Sequence, residues 1–255
     1  MLPAHDNADA PGTRPLGTES RPRLQWIDLA RSTALLGMVV FHFAHDLEFF
    51  GFVDAGTTLT GGWAVFARIV AGSFLFISGV SFVVAYQNRF RARAWVKRLI
   101  RIAGAACIIS LVTYAALPSR FIYFGILHAI AGASVIGLVF LRMPAWLVAA
   151  AALAVVIADA TLGRALFTSP WLAWTGLSAA VRPSVDFVPL VPWLSAFLAG
   201  MALAKAVPPA GIEPGWPSAL PVHLLAWPGR HSLAVYLLHQ PVLFGVIGLV
   251  AWASG

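Results

Sequence analysis

Seven stretches of the chain stay apolar for about the thickness of a bilayer, and the polar residues between them are few. A helix needs roughly 20 mostly apolar residues to cross a membrane. The runs 24–48, 62–87, 96–117, 121–140, 144–160, 188–206 and 230–253 meet or approach that length, and each predicts a membrane helix. The stretch 161–187 breaks the pattern. Pro170, Trp171, Trp174 and Gly176 predict an amphipathic or re-entrant piece at the membrane interface, where tryptophan places an apolar body and a polar tip. No repeat of fixed period is present. The first 22 residues are polar and rich in Pro, Gly, Asp and Arg. They lack the apolar stretch of a signal peptide and predict a disordered tail over 1–22. The expected architecture is all-α: a polytopic transmembrane helix bundle of about seven membrane helices over residues 23–255.

Composition strengthens this picture. Of 255 residues, 60% are hydrophobic and 11% charged, against about 25% charged in a soluble domain. The net charge of +7 does not point to nucleic acid, because the charges sit in short gaps between apolar runs. Lipid is the expected partner. One cysteine, Cys107, lies inside an apolar run, so neither an intrachain disulfide nor a cysteine metal cluster is possible. No metal site is expected.

Basic residues set an orientation. With a cytoplasmic N-terminus, twelve of the 17 lysines and arginines fall on inner segments: Arg14, Arg21, Arg23, Arg89, Arg91, Arg93, Lys97, Arg98, Arg101, Arg142, Lys205 and Arg230. Arg120, Arg164 and Arg182 fall outside, and Arg31 and Arg68 lie within helices. The excess favours an inner N-terminus, with loop 88–101 the strongest marker.

Charges inside a bilayer are costly and are either paired or functional. Along the first helix, Asp28, Arg31, His42, His45 and Asp46 share one stripe at about 100° per residue. Arg31 and His42 are ~16 Å apart along the axis at 1.5 Å per residue. Asp28 with Arg31, and His45 with Asp46, could equally be local ion pairs that make burial tolerable. Asp46, four residues after His42, would raise the basicity of its imidazole. His42 is thus the preferred general base. Arg68 on the second helix could pair with Asp46 or Asp54, and Gly72 and Gly79 read as a close-packing face. His128 lies between Gly125 and Gly132 and is either a hydrogen-bonded core histidine or a site residue. Asp186 precedes the sixth helix, where a carboxylate suits the positive end of the helix dipole. On the last helix Ser232, Tyr236 and His239 share a face, beside Gln240 and a kink expected at Pro241.

The segments IDLARSTALLGMVVFHFAHDL, FLFISGVSF, FIYFGILHAIA, VDFVPLVPW and GRHSLAVYLLHQPV, spanning about 24–244, resemble the transmembrane acyltransferase superfamily. The match is closest to the bacterial branch of the heparan-alpha-glucosaminide N-acetyltransferase catalytic-domain family. That resemblance implies acyl transfer, typically of acetyl from cytoplasmic acetyl-CoA, to a sugar or lipid-headgroup acceptor on the outer side. It implies residence in a bacterial inner membrane and no permanently bound cofactor, with acyl-CoA as co-substrate. His42 matches the superfamily histidine and Arg31 its basic partner; His128 and His239 match the later motifs. The expected catalytic residues are His42, Asp46 and His128. Arg31, Asp28, His45, Arg68, Asp186, His239 and Gln240 are expected to bind substrate, with the basic loop around Arg98 drawing in CoA phosphates. Two other readings stand beside this one: a haem-b electron carrier using His42, His128 and His239 as axial ligands, and a transporter-like protein without chemistry. Glycine clusters also permit a homo-oligomer.

Overall fold

Every apolar run of the sequence becomes a helix. A computed structural model describes residues 24–163, 165–207 and 220–254, and the expected tail, 1–22, lies outside them. The helices are α1 (Gln25–Phe49), α2 (Gly61–Tyr86), α3 (Ala92–Ala116), α4 (Ile126–Phe140), α5 (Ala145–Leu162), α6 (Leu190–Ala206), α7 (Leu220–Arg230) and α8 (Ser232–Ser254). Among the described residues there is no β-strand. Five helices, α1, α2, α3, α5 and α8, are long and apolar enough to cross a membrane, and α4 and α6 are shorter apolar helices. Leu36, Ile69, Leu111, Val139, Leu153 and Trp252 point outward, 59% to 81% exposed. So broad an apolar exterior needs a lipid solvent. The chain is an integral membrane protein.

Three details differ from expectation. The fourth run starts extended, and its helix begins only at Ile126. The N–H of Val188 donates to the carbonyl of Phe124 at 3.0 Å, and that of Val185 to Arg120 at 2.9 Å. These bonds tie 120–124 to 185–188 and use the backbone otherwise needed for a helix turn. Among its described residues the stretch 161–187 contains, beyond the end of α5, a 3-10 turn at Pro170–Thr175 and no amphipathic α-helix, with Trp171 84% exposed. Finally, α7 precedes the last span and packs along α1; the sequence pattern gave no sign of it.

Half of the α2 span is buried, against 6–11% for α3, α5 and α8, so α2 runs through the middle of the bundle. It packs most extensively on α6. A Cβ on Gly79 would strike the backbone carbonyl of Phe197, and one on Gly200 would strike that of Phe76. The contact is backbone to backbone and reciprocal, as small residues permit between membrane helices. Gly79 thus fulfils the close-packing role expected of it, whereas a Cβ on Gly72 would sit at an ordinary 3.7 Å from Trp193. Gly200→Val is expected to abolish folded protein, read as loss of the monodisperse peak in size-exclusion chromatography, because backbone atoms cannot move aside as a flexible side chain can.

One end of the bundle is basic. There Arg31 Nη2 donates to Ser81 Oγ at 2.6 Å and Arg98 Nη2 to Ser78 Oγ at 3.2 Å, joining the starts of α1 and α3 to the end of α2. Lys205 Nζ donates to the carbonyls of Leu141 and Met143 at 2.8 and 3.0 Å. It satisfies oxygens left open where α4 ends and locks the end of α6 to the α4–α5 turn.

Candidate functional site

At the basic end a cavity of about 370 Å³ is lined by Arg31, Arg98, Arg101 and Arg230 together with Ser78, His231 and the first turn of α8, Ser232 to Ala234. A helix start carries unsatisfied N–H groups and the positive end of the dipole, so this turn adds to the four guanidiniums as an anion cradle. Two of the arginines are held by Asp28, which is buried: Arg31 Nη1 lies 3.0 Å from Oδ1 and Arg230 Nε 3.6 Å from Oδ2. The expected Asp28–Arg31 pair is present, and Arg230 turns it into a three-residue network. The junction of α7 and α8 is fixed by Gly229, whose N–H donates to Ser32 Oγ at 2.8 Å. A Cβ on Gly229 would run into the carbonyl of Asp28. Asp28 thus holds two cationic side chains at the cavity and is not itself part of its lining.

A second cavity, about 210 Å³, lies farther along the bundle. Its polar members are His42, Arg68, Asp186 and Tyr236, set among Met38, Phe41, Phe74, Ile126 and Trp193. The helices α1, α2, α4 and α8 each contribute to both cavities, so the two lie in succession within one helix framework. Arg68 makes no ion pair with Asp46 or Asp54 within 4 Å, in contrast to expectation; it lines the cavity that also contains Asp186.

His42 marks the meeting of this cavity with a polar cluster between α1 and α8. Its ring lies 5.0 Å from that of His239 between centroids, tilted by 56°. Nδ1–H of His239 donates to the carbonyl of Tyr236 at 2.6 Å. That bond fixes the tautomer and leaves Nε2 as a bare acceptor. Gln240 Nε2 donates to Asp46 Oδ1 at 2.8 Å. The carboxylate expected to orient His42 is therefore engaged across the helix interface by Gln240. Four buried polar atoms in this cluster have no protein partner: His42 Nδ1, His239 Nε2, Asp46 Oδ2 and Gln240 Oε1. An unsatisfied buried polar group costs ~1–3 kcal/mol, and four such atoms lie together at this one helix crossing. α8 continues through Pro241 as one helix.

Two other sequence candidates are committed elsewhere. Thr58 Oγ1 donates to Glu48 Oε2 at 2.6 Å and accepts from His45 Nδ1 at 2.9 Å. Glu48 also accepts the N–H groups of Gly56 and Thr58. His45 thus pins the loop after α1 and does not pair with Asp46. His128 Nδ1 accepts the N–H of Gly125 at 3.2 Å, and its Nε2 faces Ser110 Oγ at 3.3 Å. Ser110 donates to the carbonyl of Ile122. Both ring nitrogens of His128 are thereby used in holding the start of α4, and His128 is not among the residues lining either cavity. The contact between His42 and His239 leaves no layer for a porphyrin between their rings, which argues against haem ligation by this pair.

Asp186 caps a helix, but α4 and not the expected α6. Its Oδ2 accepts the N–H of Ile126 at 3.2 Å. The carboxylate sits against Gly125, where a Cβ would collide with it. Burial pushes this carboxyl from the ordinary 3.8 up to about 6, with the hydrogen bond from Ile126 working in the opposite direction. The folded state therefore binds the proton more tightly than the unfolded chain does. Stability contributed by this group falls as pH rises from about 4 through 6 and is level above. Thermal unfolding in detergent across that window checks the sign, and Asp186→Asn should flatten the slope.

Sequence reasoning missed Arg230, Gly229 and the first turn of α8 as parts of one site. The traces were the segment GRHSLAVYLLHQPV, which contains these residues, and a basic residue at the edge of the last apolar run. Tyr236 was visible as a residue sharing a face with His239, and the structure puts it in the wall of the second cavity.

A family model described as heparan-alpha-glucosaminide N-acetyltransferase, catalytic, matches residues 23–241. No curated protein and no solved structure matches the chain.

Proposed function

The chain belongs to the heparan-alpha-glucosaminide N-acetyltransferase catalytic-domain family, and on that premise we propose that it transfers an acetyl group from acetyl-CoA, bound at the basic end, to an acceptor that enters from the opposite side. The observation that carries this reading is the succession of an arginine-lined cavity and a smaller one containing His42 within the same four helices.

The positive-inside bias puts the basic end in the cytoplasm, where acyl-CoA is found. Arg31, Arg98, Arg101 and Arg230, with the α8 start, bind the CoA phosphates by charge-assisted hydrogen bonds. The pantetheine arm carries the thioester along α1 towards His42, ~16 Å from Arg31. His42 takes the proton of the acceptor hydroxyl or amine as its heteroatom attacks the thioester carbonyl. The C–S bond breaks, the new C–O or C–N bond forms, and the imidazolium returns its proton to the CoA thiolate. The products are the acylated acceptor and free CoA. Asp46, Gln240 and His239 hold the acceptor's polar groups with the atoms they leave open. Arg68 and Asp186 give the second cavity both signs of charge, which suits a sugar or lipid headgroup.

The test uses proteoliposomes with labelled acetyl-CoA on the basic-end side and amino sugars, neutral sugars or lipid headgroups on the other. Label on the acceptor with equimolar CoA release is the expected result. Acetyl-CoA that is neither bound nor consumed with any acceptor rejects the enzyme reading in favour of a transporter-like protein.

A further inference from the structure

Four helices line both cavities, yet among the described residues only one side chain belongs to both linings: Phe74. Its position on α2 is informative. Ala67, Ala71, Phe74 and Ser78 follow one another at helical spacing and all face the cavities. Ser81, one turn on, holds Arg31. In this row every member except Phe74 is small, although Arg68, Val70 and Ile77 of the same helix also line the cavities. The small members leave room beside the central helix, and the benzyl group of Phe74 stands at the boundary between the two voids. Phe74 is half-buried and packs beside the core, with open volume on either side. A phenyl ring that borders two voids is less constrained than one enclosed on every side at close-packed density.

We infer that Phe74 is a movable partition between the donor cavity and the acceptor cavity. With the ring across the boundary, the arginine-lined side is closed off from His42 and from water on the far side. Rotation of the ring admits the thioester end of the donor, and the ring then closes behind it. The role assigned to the two cavities rests on the proposed acyl transfer; the partition itself does not. A membrane protein with an open path between an arginine cradle and the opposite face would leak water to the thioester, and excluding it suppresses hydrolysis.

Two assays separate the partition from the enzyme reading. The first reads the barrier alone. In a Cys107→Ser background, Ala71→Cys places a thiol in the wall of the second cavity. A membrane-impermeant methanethiosulfonate reagent is added only on the basic-end side of vesicles. Labelling is expected to be slow with Phe74 and at least ~10-fold faster with Phe74→Ala, since labelling rate follows access of the reagent to the thiolate. Equal rates overturn the inference, whatever the protein's activity. The second assay reads transfer. Phe74→Trp is expected to slow transfer at least ~10-fold, and Phe74→Ala to raise acceptor-independent hydrolysis of acetyl-CoA by a similar factor. Wild-type transfer by Phe74→Trp, or unchanged hydrolysis by Phe74→Ala, counts against the partition. A barrier seen by labelling in a protein that transfers nothing keeps the partition and removes the acyltransferase reading.

Discussion

His42→Ala is expected to lower acyl transfer by about 10²–10⁴-fold, the usual contribution of a positioned general base, while the protein stays folded. The first half of this expectation follows from position. His42 is a histidine in the wall of the second cavity, about three turns of α1 beyond Arg31. The second half follows from what His42 does not do. His42 Nδ1 makes no hydrogen bond to protein, so truncation leaves no new unsatisfied partner, and it enlarges a void already present. His128 and His45 behave differently: each holds backbone or loop groups through its ring nitrogens, and their removal should cost stability first. Activity with labelled acetyl-CoA, read beside thermal unfolding, distinguishes these cases. Transfer retained by a folded His42→Ala protein would remove His42 as the base. A readout of pH dependence adds to this, because the rate limb due to the base should vanish with the imidazole.

The double variant Arg98→Gln with Arg101→Gln is expected to raise the KM for acetyl-CoA by about 10²-fold or more, with kcat little changed. A hydrogen bond to a charged group contributes ~1.5–3 kcal/mol, and each 1.4 kcal/mol is tenfold in affinity. These two arginines are the cleaner choice within the basic cavity. Arg31 and Arg230 both engage Asp28, so removing either alters a buried carboxylate as well as a ligand contact. Arg98 and Arg101 have no carboxylate within 4 Å among the described residues. Arg98 is held by Ser78, and Arg101 bonds the carbonyl of Lys97 at 3.3 Å. Because these residues line the first cavity and His42 the second, the loss should fall on donor binding and not on the chemical step. The wild-type KM should rise with ionic strength, and the variant's should do so less steeply. Unchanged acetyl-CoA binding would place the CoA phosphates elsewhere.

The helices over the seven apolar runs were legible in the chain because each is written as a local run, although only five of them are long and apolar enough to cross a membrane. Apolar length is a property of consecutive residues, and lipid leaves no other way to satisfy their backbone. The Asp28–Arg31 pair was legible for the same reason, being three residues apart on one helix. α7 was not, because it is a helix of only 11 residues, interrupted by polar residues and too short to read as a membrane span, and it packs along α1. The pairing of 120–124 with 185–188 was also hidden, since both partners look like the edges of membrane helices.

The site divides along the same line. The sequence determined which groups are available: a stripe with Arg31 and His42 at separate heights, basic residues clustered at one end, and the histidine and glutamine of the last helix. Those follow from helical periodicity and from charge count alone. Only the tertiary structure decided who meets whom. Asp46 engages Gln240 and not His42; His45 turns to Thr58; Asp186 caps α4; Arg230 joins Asp28. The reason is geometric. Neighbours four residues apart can meet within a helix, but a side chain at a helix crossing pairs with the partner that presents the better-aimed atom, and sequence spacing does not encode that direction. Phe74 shows the limit most plainly. As a letter it is one phenylalanine in an apolar run, and only the two voids on either side of it give it a position between them.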